Sequence, residues 1–238
     1  MKKWMFSHRW GLHDAVISGE KTTTLRIIPS RVVKACTDQE SPFDYPDQDK
    51  LIAASAVAVG DMVAVAEAYR DAFSPLDWVN REIYRNTPGW MNKMYVRPDL
   101  MRYFLEVQKV EAFDFSGLTP QELDAEGFQA FLRRAGTIPR MKRAIQGHSI
   151  AQRTFFQKTM NWDIWSEHHF VWRFTFRVCE RGTCRVCGCT HFDPCYNPEH
   201  GTCWWADETE TICSHCAIPK IAEDPRTTHC VNCGHEIH

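Results

Sequence analysis

The arrangement of the cysteines constrains the fold of this chain more than any other feature of its sequence. Ten of the eleven cysteines fall between Cys179 and the C-terminus, and six of these ten form Cys-x-x-Cys pairs. The pairs, in chain order, are Cys184/Cys187, Cys213/Cys216 and Cys230/Cys233. One such turn presents two thiolates on one side, and two turns complete a tetrahedral zinc site. Because so short and polar a segment buries little apolar surface, we expect metal binding to supply much of its stability.

The number of cysteines fits two zinc ions, but the sequence leaves the pairing of the ligands open. Cys213 and Cys216 could share a zinc ion with Cys184 and Cys187, or they could share one with Cys230 and Cys233 as a simple zinc ribbon. Disulfides and an iron–sulfur cluster are the rival interpretations, and the lack of a secretion signal disfavours disulfides. All-thiolate sites leave no coordination position for water, so we predict a structural role. The predicted ligands are Cys184, Cys187, Cys189, Cys195, Cys203, Cys213, Cys216, Cys230, Cys233 and His235.

Charge is distributed unevenly along the chain and indicates two domains. Residues 180–238 carry four Lys/Arg and nine Asp/Glu, whereas residues 1–179 carry 24 and 21. We therefore predict one domain over residues 1–180 and a cysteine-rich, zinc-binding module over residues 181–238. The chain has no run of 18 apolar residues, and its N-terminus lacks the apolar region of a signal peptide. The expectation is a cytoplasmic protein that does not enter a membrane.

Helical and strand-like patterns alternate through the first domain and predict an α+β fold. Residues 29–55 and 129–160 have the character of insertions, and the prolines and polar residues of the first predict irregular structure. The predicted elements are helices over residues 11–18, from Ser74, and from the capping box at Thr119 to about residue 134, with strands after Gly60, after Arg102 and over residues 170–178.

A short polar stretch between the first helix and the next apolar run carries a further signal. It reads Gly19-Glu20-Lys21-Thr22-Thr23-Thr24-Leu25-Arg26, which by itself is compatible with an ordinary polar turn. The segments "VGDMVAVAEAY", "MRYFLEVQKVEAFDFSGLTPQELDAEGF" and "NWDIWSEHHFVWRFTF" follow it in order. Together these pieces resemble the ASCH family of the PUA-like superfamily over roughly residues 4–179. The family motif is Gly-x-Lys-x-x-Glu-x-Arg, and Thr24 stands in place of its glutamate.

The resemblance implies a small PUA-like β-barrel flanked by helices, with a pocket at the mouth of the barrel. A subgroup of ASCH proteins with threonine at this position hydrolyses the amide of N4-acetylcytidine, which implies a catalytic set of Lys21, Thr24 and Glu126. Glu122, one helical turn earlier, competes with Glu126 for the third role. The residues expected to bind the substrate are Gly19, Arg26, Glu67, Arg97 and Arg102.

The implied chemistry needs a group that activates the threonine hydroxyl. Lys21 could take the proton of Thr24 if burial lowered the pKa of the lysine toward neutrality. A charged Glu126 nearby would oppose that change, because it favours the ammonium form of the lysine. The roles could also be exchanged, with Glu126 as the base and Lys21 stabilising the oxyanion. The sequence leaves both assignments open.

Residues 127–162 contain no Asp or Glu, and this composition predicts contact with a polyanion. Phe155 and Phe156 lie among the basic residues, where they could stack on unpaired bases or belong to the core. The resemblance adds to this expectation, since PUA-like proteins commonly bind RNA or modified bases. The residues predicted to contact nucleic acid are Arg133, Arg134, Arg140, Lys142, Arg143, Arg153 and Lys158.

Three functions compete at the level of the sequence. The preferred one is recognition of a modified nucleobase, nucleoside or nucleic acid, with hydrolysis of an N4-acylcytidine-type amide. The alternative is a non-catalytic RNA- or DNA-binding adaptor whose zinc module contacts a protein partner. A ribonuclease is the third, because the resemblance implies RNA cleavage by some ASCH proteins. The later segments resemble ASCH proteins that are common in phages and prophages.

Overall fold

A computed structural model describes residues 1–37, 45–115, 117–145, 147–160 and 169–217, and these ranges confirm an α+β fold. The strands are β1 (Lys2–Trp4), β2 (Thr23–Ile27), β3 (Met62–Val65), β4 (Tyr103–Asp114), β5 (Phe170–Glu180), β6 (Tyr196–Asn197) and β7 (Gly201–Thr202). The helices are α1 (Leu12–Ile17), α2 (Ser30–Ala35), α3 (Gln48–Ala53), α4 (Tyr69–Ala72), α5 (Trp78–Tyr84), α6 (Pro120–Ala125), α7 (Phe128–Gly136), α8 (Pro139–Ala144), α9 (His148–Met160) and α10 (Ser214–Ala217). Short 3₁₀ turns lie at Pro88–Trp90, Lys93–Tyr95 and Pro98–Leu100.

Strands β1 to β5 form one mixed sheet in the spatial order β1-β3-β4-β5-β2. β1 pairs in parallel with β3, and β2 pairs antiparallel with β5, where Thr24 lies opposite Phe174. The edges of the sheet are β1 and β2, with three and five residues. Closing a barrel would require these two edges to pair. Within the described ranges the sheet is therefore open, and the closed barrel expected from the sequence is not observed.

The chain divides into two compact units, each built from separate segments. Unit 1 contains the described residues of Met1–Trp4, Val63–Phe104 and Cys179–His238. Unit 2 contains the described residues of Met5–Met62 and Leu105–Val178. The cysteine-rich segment thus belongs to unit 1, and the Gly19–Arg26 motif belongs to unit 2.

In unit 1, α4 and α5 are held by a cluster of aromatic rings. Tyr69 stacks on Phe73 with centroids 5.3 Å apart and contacts Tyr84 at 4.6 Å. The helix predicted from Ser74 begins later, at α5, because the carboxylate of Asp77 accepts the N–H of the residue three positions on, at 3.3 Å.

Phenylalanines of α7 and α9 form much of the core of unit 2. Phe155 packs edge-on against Phe131 with centroids 5.3 Å apart and against Phe128 at 5.5 Å. Phe155 and Phe156 have 0% and 2% of their surface exposed. They are core residues, so they do not offer rings for stacking on bases, and the segment 129–160 is packed into the unit.

The helix predicted over residues 119–134 is observed as two helices, α6 and α7, that meet at Gly127. The capping box is confirmed: Thr119 accepts the N–H of Glu122 at 3.3 Å, and the Glu122 carboxylate accepts the N–H of Thr119 at 2.9 Å. Gly127 has a φ of +87°. A Cβ at this position would lie 3.3 Å from the Cδ of Lys21. The break therefore needs glycine both for its backbone and for its closeness to the lysine.

Residues 29–55 are more regular than predicted, because two short helices, α2 and α3, lie within their described part. Leu51 of α3 is fully buried, and the indole N–H of Trp172 donates to its carbonyl oxygen at 2.7 Å. The prolines and polar residues of this segment predict irregular structure, but burial of apolar residues stabilises helices within it.

Candidate functional site

Lys21 lies in the turn between α1 and β2, with only 2% of its surface exposed. Gly19 precedes it in the left-handed conformation, with a φ of +76° that glycine adopts at low cost. The N–H of Lys21 donates to the carbonyl of Ala15 at 2.8 Å, and the N–H of Thr22 donates to that of Ala125 at 3.0 Å. The motif glycine therefore acts through the backbone, turning the chain so that the lysine side chain enters the interior.

The carboxylate beside Lys21 belongs to Glu126, which caps the C-terminal end of α6 and is fully buried. The Lys21 Nζ donates to Glu126 Oε2 at 2.9 Å and to the Glu126 carbonyl oxygen at 2.8 Å. The hydroxyl of Thr23 donates to Oε1 at 2.7 Å, and the N–H of Leu25 donates to Oε2 at 3.3 Å. Glu122 instead caps the start of α6. The structure thus brings Glu126, rather than Glu122, to the lysine.

The hydrogen bonds around Lys21 match the three donors of an ammonium group. Its acceptors are the Thr23 carbonyl oxygen at 2.6 Å and two oxygens of Glu126. Burial lowers the pKa of Lys21 from its usual value, and the neighbouring Glu126 carboxylate opposes this change without cancelling it. Lys21 is therefore less basic than a surface lysine, which is the property that a role as a base requires.

A small cavity of about 40 Å³ lies beside Lys21 and Thr24 within unit 2. Thr24 has 4% of its surface exposed. Side chains alternate along a strand, so Thr24 lines the cavity while Thr23 turns away from it and binds Glu126. Ser7 is a further hydroxyl on the cavity wall, and among the described residues that wall does not include Glu126. The threonine on the cavity wall is thus Thr24, the one that the resemblance singles out, and the bond from Thr23 to Glu126 was not predicted.

A larger cleft of about 840 Å³ adjoins the cavity. The two share the lining residues Leu25, Arg26, Thr159 and Met160. The cleft wall carries Arg9, Arg26, Arg140 and Lys158, and no carboxylate lines it in the part of the chain that is described. Such a wall attracts phosphate or carboxylate groups. Arg9, whose guanidinium lies 5.0 Å from the ring centroid of Trp10, was not among the predicted site residues.

The residues predicted to contact nucleic acid divide between this cleft and other surfaces. Arg140 and Lys158 line the cleft. Arg133 is paired with Glu20, and together with Arg134 it lines a separate hollow of about 400 Å³. The remaining predicted residues are exposed: Lys142, Arg143 and Arg153.

Three residues predicted to bind substrate belong to unit 1: Glu67, Arg97 and Arg102. Glu67 is buried, with 5% of its surface exposed. Arg97 and Arg102 form ion pairs with Asp99 and Glu180. The cavity beside the catalytic lysine candidate is lined by residues of unit 2. The structure therefore places all three residues in unit 1 and pairs the two arginines with carboxylates there.

Cysteines of unit 1 form two overlapping groups of four that could hold a metal ion. Within each group, all the sulfur atoms lie within 4.8 Å of one another. One group is Cys184, Cys187, Cys213 and Cys216, and the other is Cys187, Cys189, Cys195 and Cys213. The first and second Cys-x-x-Cys pairs therefore come together, as one of the two predicted pairings expects. Cys203 lies beside Cys189 at 3.7 Å, whereas Cys230, Cys233 and His235 lie outside the described residues.

Hydrogen bonds from backbone N–H groups outweigh burial at Cys184 and lower its pKa to about 7, but burial disfavours the thiolate form of four other cysteines in this cluster. It raises the pKa of Cys213 to about 12, and it also raises the pKa values of Cys189, Cys195 and Cys216, with neighbouring thiolates adding to the effect. A bound cation reverses this preference, because it displaces the protons and neutralises the thiolates. The cysteines thus have the donor type, spacing and burial of a metal site.

A second group of possible ligands lies near the N-terminus and was not singled out from the sequence. His8 and His13 have ring centroids 3.8 Å apart, and Asp14 lies with them so that one ligand atom of each is within 4.8 Å of the others. The turn at Gly11, which has a φ of +72°, brings the two histidines together. Only their five-residue spacing across that glycine could have indicated the group.

None of the helices in the described ranges is long and apolar enough to cross a membrane. Known proteins add no assignment to these sites, since the chain matches no protein-family model, no curated protein and no solved structure.

Proposed function

We propose that this protein recognises a modified nucleobase, as a nucleoside or within a nucleic acid, and hydrolyses an amide of the N4-acylcytidine type. One observation carries the proposal: Lys21 and Thr24 line the same cavity, which adjoins a cleft walled by four cations. A hydroxyl beside an amine of lowered pKa suits acyl transfer. The cations would hold the phosphate groups of the substrate.

The motif around Lys21 supports membership of the ASCH family, and with it a PUA-like barrel. Gly19, Lys21 and Arg26 match the family motif, and Thr24 matches the subgroup that acts on N4-acetylcytidine. The third residue implied by the resemblance is Glu126, and its carboxylate lies 2.9 Å from the Lys21 amine. This contact joins residues that are 105 positions apart in sequence and supports the proposal.

In the proposed reaction, the Thr24 oxygen attacks the carbonyl carbon of the amide. Lys21, as a neutral amine, accepts the hydroxyl proton and passes it to the leaving nitrogen as the C–N bond breaks. Water then cleaves the acyl-threonine ester and releases a carboxylic acid. The Lys21 ammonium loses its proton to solvent before the reaction, and Glu126 positions the resulting amine through their 2.9 Å hydrogen bond.

Replacing each threonine with valine, which has nearly the same shape, separates the two hydroxyls. Thr24→Val is expected to lower kcat by about 10³-fold or more, because it removes the nucleophile. Thr23→Val is expected to lower kcat by about 10-fold, because it removes one hydrogen bond from the positioning carboxylate. Chromatographic measurement of the conversion of N4-acetylcytidine to cytidine checks both values.

The pH profile of the wild type adds a test of the base. With Lys21 as the base, kcat/KM rises with pH through the lowered pKa of this lysine. Equal losses in Thr24→Val and Thr23→Val would contradict the assignment of the nucleophile. No turnover of the acetylated nucleoside, its monophosphate or an acetylated RNA oligomer would rule out this hydrolase activity.

The second candidate function is binding of RNA or DNA without catalysis. The cationic wall of the cleft favours it independently of the lysine chemistry. The arrangement at Lys21 is also compatible with a purely structural ion pair, since every donor of its ammonium group has an acceptor. In this alternative the cysteine-rich segment would contact a protein partner.

Removal of two cleft cations is expected to weaken nucleic-acid binding and flatten its salt dependence. Arg140→Ala/Lys158→Ala should reduce the slope of log K against log salt for single-stranded RNA by about 0.7 for each phosphate that the variant no longer neutralises. Fluorescence anisotropy at several salt concentrations measures this slope. The matched control is Arg31→Ala/Lys34→Ala, which removes two exposed cations of α2 that do not line the cleft. Equal affinities and slopes for both variants would rule out the cleft as the binding surface.

We propose that the cysteine cluster of unit 1 binds zinc in a structural role. Soft thiolate ligands favour zinc among the common divalent metals, and four thiolates leave no position for a water nucleophile. Reduced, metal-binding cysteines also suit a cytoplasmic protein, where disulfides are rare.

A further inference from the structure

We propose that six cysteines of unit 1 form a single binuclear cluster, in which the Cys187 and Cys213 thiolates bridge two divalent metal ions. Cys184 and Cys216 complete one metal site, and the other site is completed by the cysteines that follow the first Cys-x-x-Cys pair. These are Cys189 and Cys195.

The distances between sulfur atoms are those of metal-centred tetrahedra. With metal–sulfur bonds of about 2.3 Å, the edges of a tetrahedron of thiolates are about 3.8 Å long. Cys187 and Cys213 have sulfur atoms 3.8 Å apart, and Cys195 lies at the same distance from Cys213. All the sulfur atoms of a group lie within 4.8 Å of one another, so one ion fits at the centre of each group.

The two groups of four cannot act as two independent sites, because both require the same two cysteines. Cys187 and Cys213 belong to each group, and Cys213 has 0% of its surface exposed. Two ions that share this pair use six thiolates to provide eight metal–sulfur bonds. A thiolate has enough lone pairs to bind two metals, so each ion still has four ligands.

Backbone hydrogen bonds position the segments that carry the shared cysteines. Cys184 N–H donates to the carbonyl of Cys189 at 2.8 Å, and the N–H of Gly188 donates to the carbonyl of Cys184 at 2.9 Å. Gly188 has a φ of +77°, which lets the chain turn after Cys187. The N–H of Cys213 donates to the Cys184 sulfur at 3.4 Å and so joins the two segments that carry these cysteines.

The main rival is a separate site with three cysteines and one histidine. Cys203 lies 3.7 Å from Cys189, and His215 Nδ1 lies 3.4 Å from the sulfur of Cys195. Neither Cys203 nor His215 is a member of the groups of four found among the described residues. The shared-thiolate arrangement uses only cysteines whose sulfur atoms all lie within 4.8 Å of one another in each group, and the rival predicts a different response to mutation.

Cadmium-113 NMR of the full-length protein distinguishes these arrangements. After replacement of the bound metal with ¹¹³Cd²⁺, bridging thiolates are expected to produce two resonances that are coupled to each other through the shared sulfur atoms. Separate sites give resonances without mutual coupling. The measurement uses the wild-type chain, so its result does not depend on the folding of a variant.

Metal content per chain supplies the second readout, in a Cys230→Ser/Cys233→Ser/His235→Ala background that removes the donors farther along the chain. We expect two metal ions per chain, unchanged by His215→Ala or Cys203→Ser and reduced by Cys213→Ser. Loss of one ion in His215→Ala, or ¹¹³Cd resonances without mutual coupling, would overturn the proposal. One ion per chain in the background variant would overturn it as well.

Discussion

Removal of the bound metal with a strong chelator is expected to unfold the segment from Cys184 to Cys216 and to leave the core of unit 2 folded. The buried apolar residues of this segment are four of its cysteines, and a few partly buried apolar residues such as Val186 and Trp205 pack against them. Structural zinc supplies about 10–16 kcal/mol in comparable small modules, more than so small an apolar cluster contributes.

Hydrogen exchange measured by mass spectrometry checks this expectation region by region. After chelation, peptides from residues 184–216 should exchange rapidly, while peptides from α7 and α9 keep their protection because their phenylalanine core contains no metal ligand. Restoring zinc should restore the protection. Unchanged protection of residues 184–216 after complete removal of the metal would show that the segment folds without it.

The cysteine cluster shows what spacing in a sequence can predict. Two thiolates separated by two residues lie on one turn, so each pair could be recognised as a ligand pair. Which pairs meet depends on the hydrogen bonds between distant segments, such as that from Arg185 N–H to the Thr211 carbonyl at 2.8 Å. Sharing of Cys187 and Cys213 between two groups arises from this tertiary contact, and no local pattern could have indicated it.

The Lys21 site shows a similar division. The capping box predicts the start of α6 and so brings Glu126 to its end, where the choice between Glu126 and Glu122 depends on how the helix packs. Strand alternation predicts that Thr23 and Thr24 face opposite ways, but only the fold determines which of them faces the cavity. Arg97, which was predicted to bind substrate, forms an ion pair with its near neighbour Asp99.

Replacement of the buried lysine is expected to give the largest loss of stability of any single substitution at the site. Lys21→Met should lower the free energy of unfolding by about 3–5 kcal/mol, because the buried Glu126 carboxylate would lose its hydrogen-bonded cation and keep only the longer-range attraction of Arg26. The remaining donors to that carboxylate are the hydroxyl of Thr23 and the N–H of Leu25, which carry no charge. Hydrogen exchange of peptides from α6 and α7 as a function of urea concentration measures the loss within unit 2.

A double-mutant cycle isolates the contribution of the ion pair itself. Lys21→Met/Glu126→Gln should be more stable than Lys21→Met, since the second change removes the uncompensated charge. The control is Glu20→Gln, one residue from the lysine, which breaks the partly exposed pair with Arg133 and should change stability by less than about 1 kcal/mol. A Lys21→Met protein as stable as Glu20→Gln would contradict the charged, buried pair.

This loss of stability also determines how a catalytic test can be interpreted. A lysine variant that is inactive has lost both the candidate base and several kcal/mol of folding free energy, so its inactivity has two causes. Thr24→Val changes the cavity wall without leaving a charge in the interior, and Thr24 is not a partner in the Lys21–Glu126 pair. Full stability with abolished turnover in Thr24→Val would therefore assign a chemical role to the cavity, whereas full stability with unchanged turnover would exclude that residue as the nucleophile.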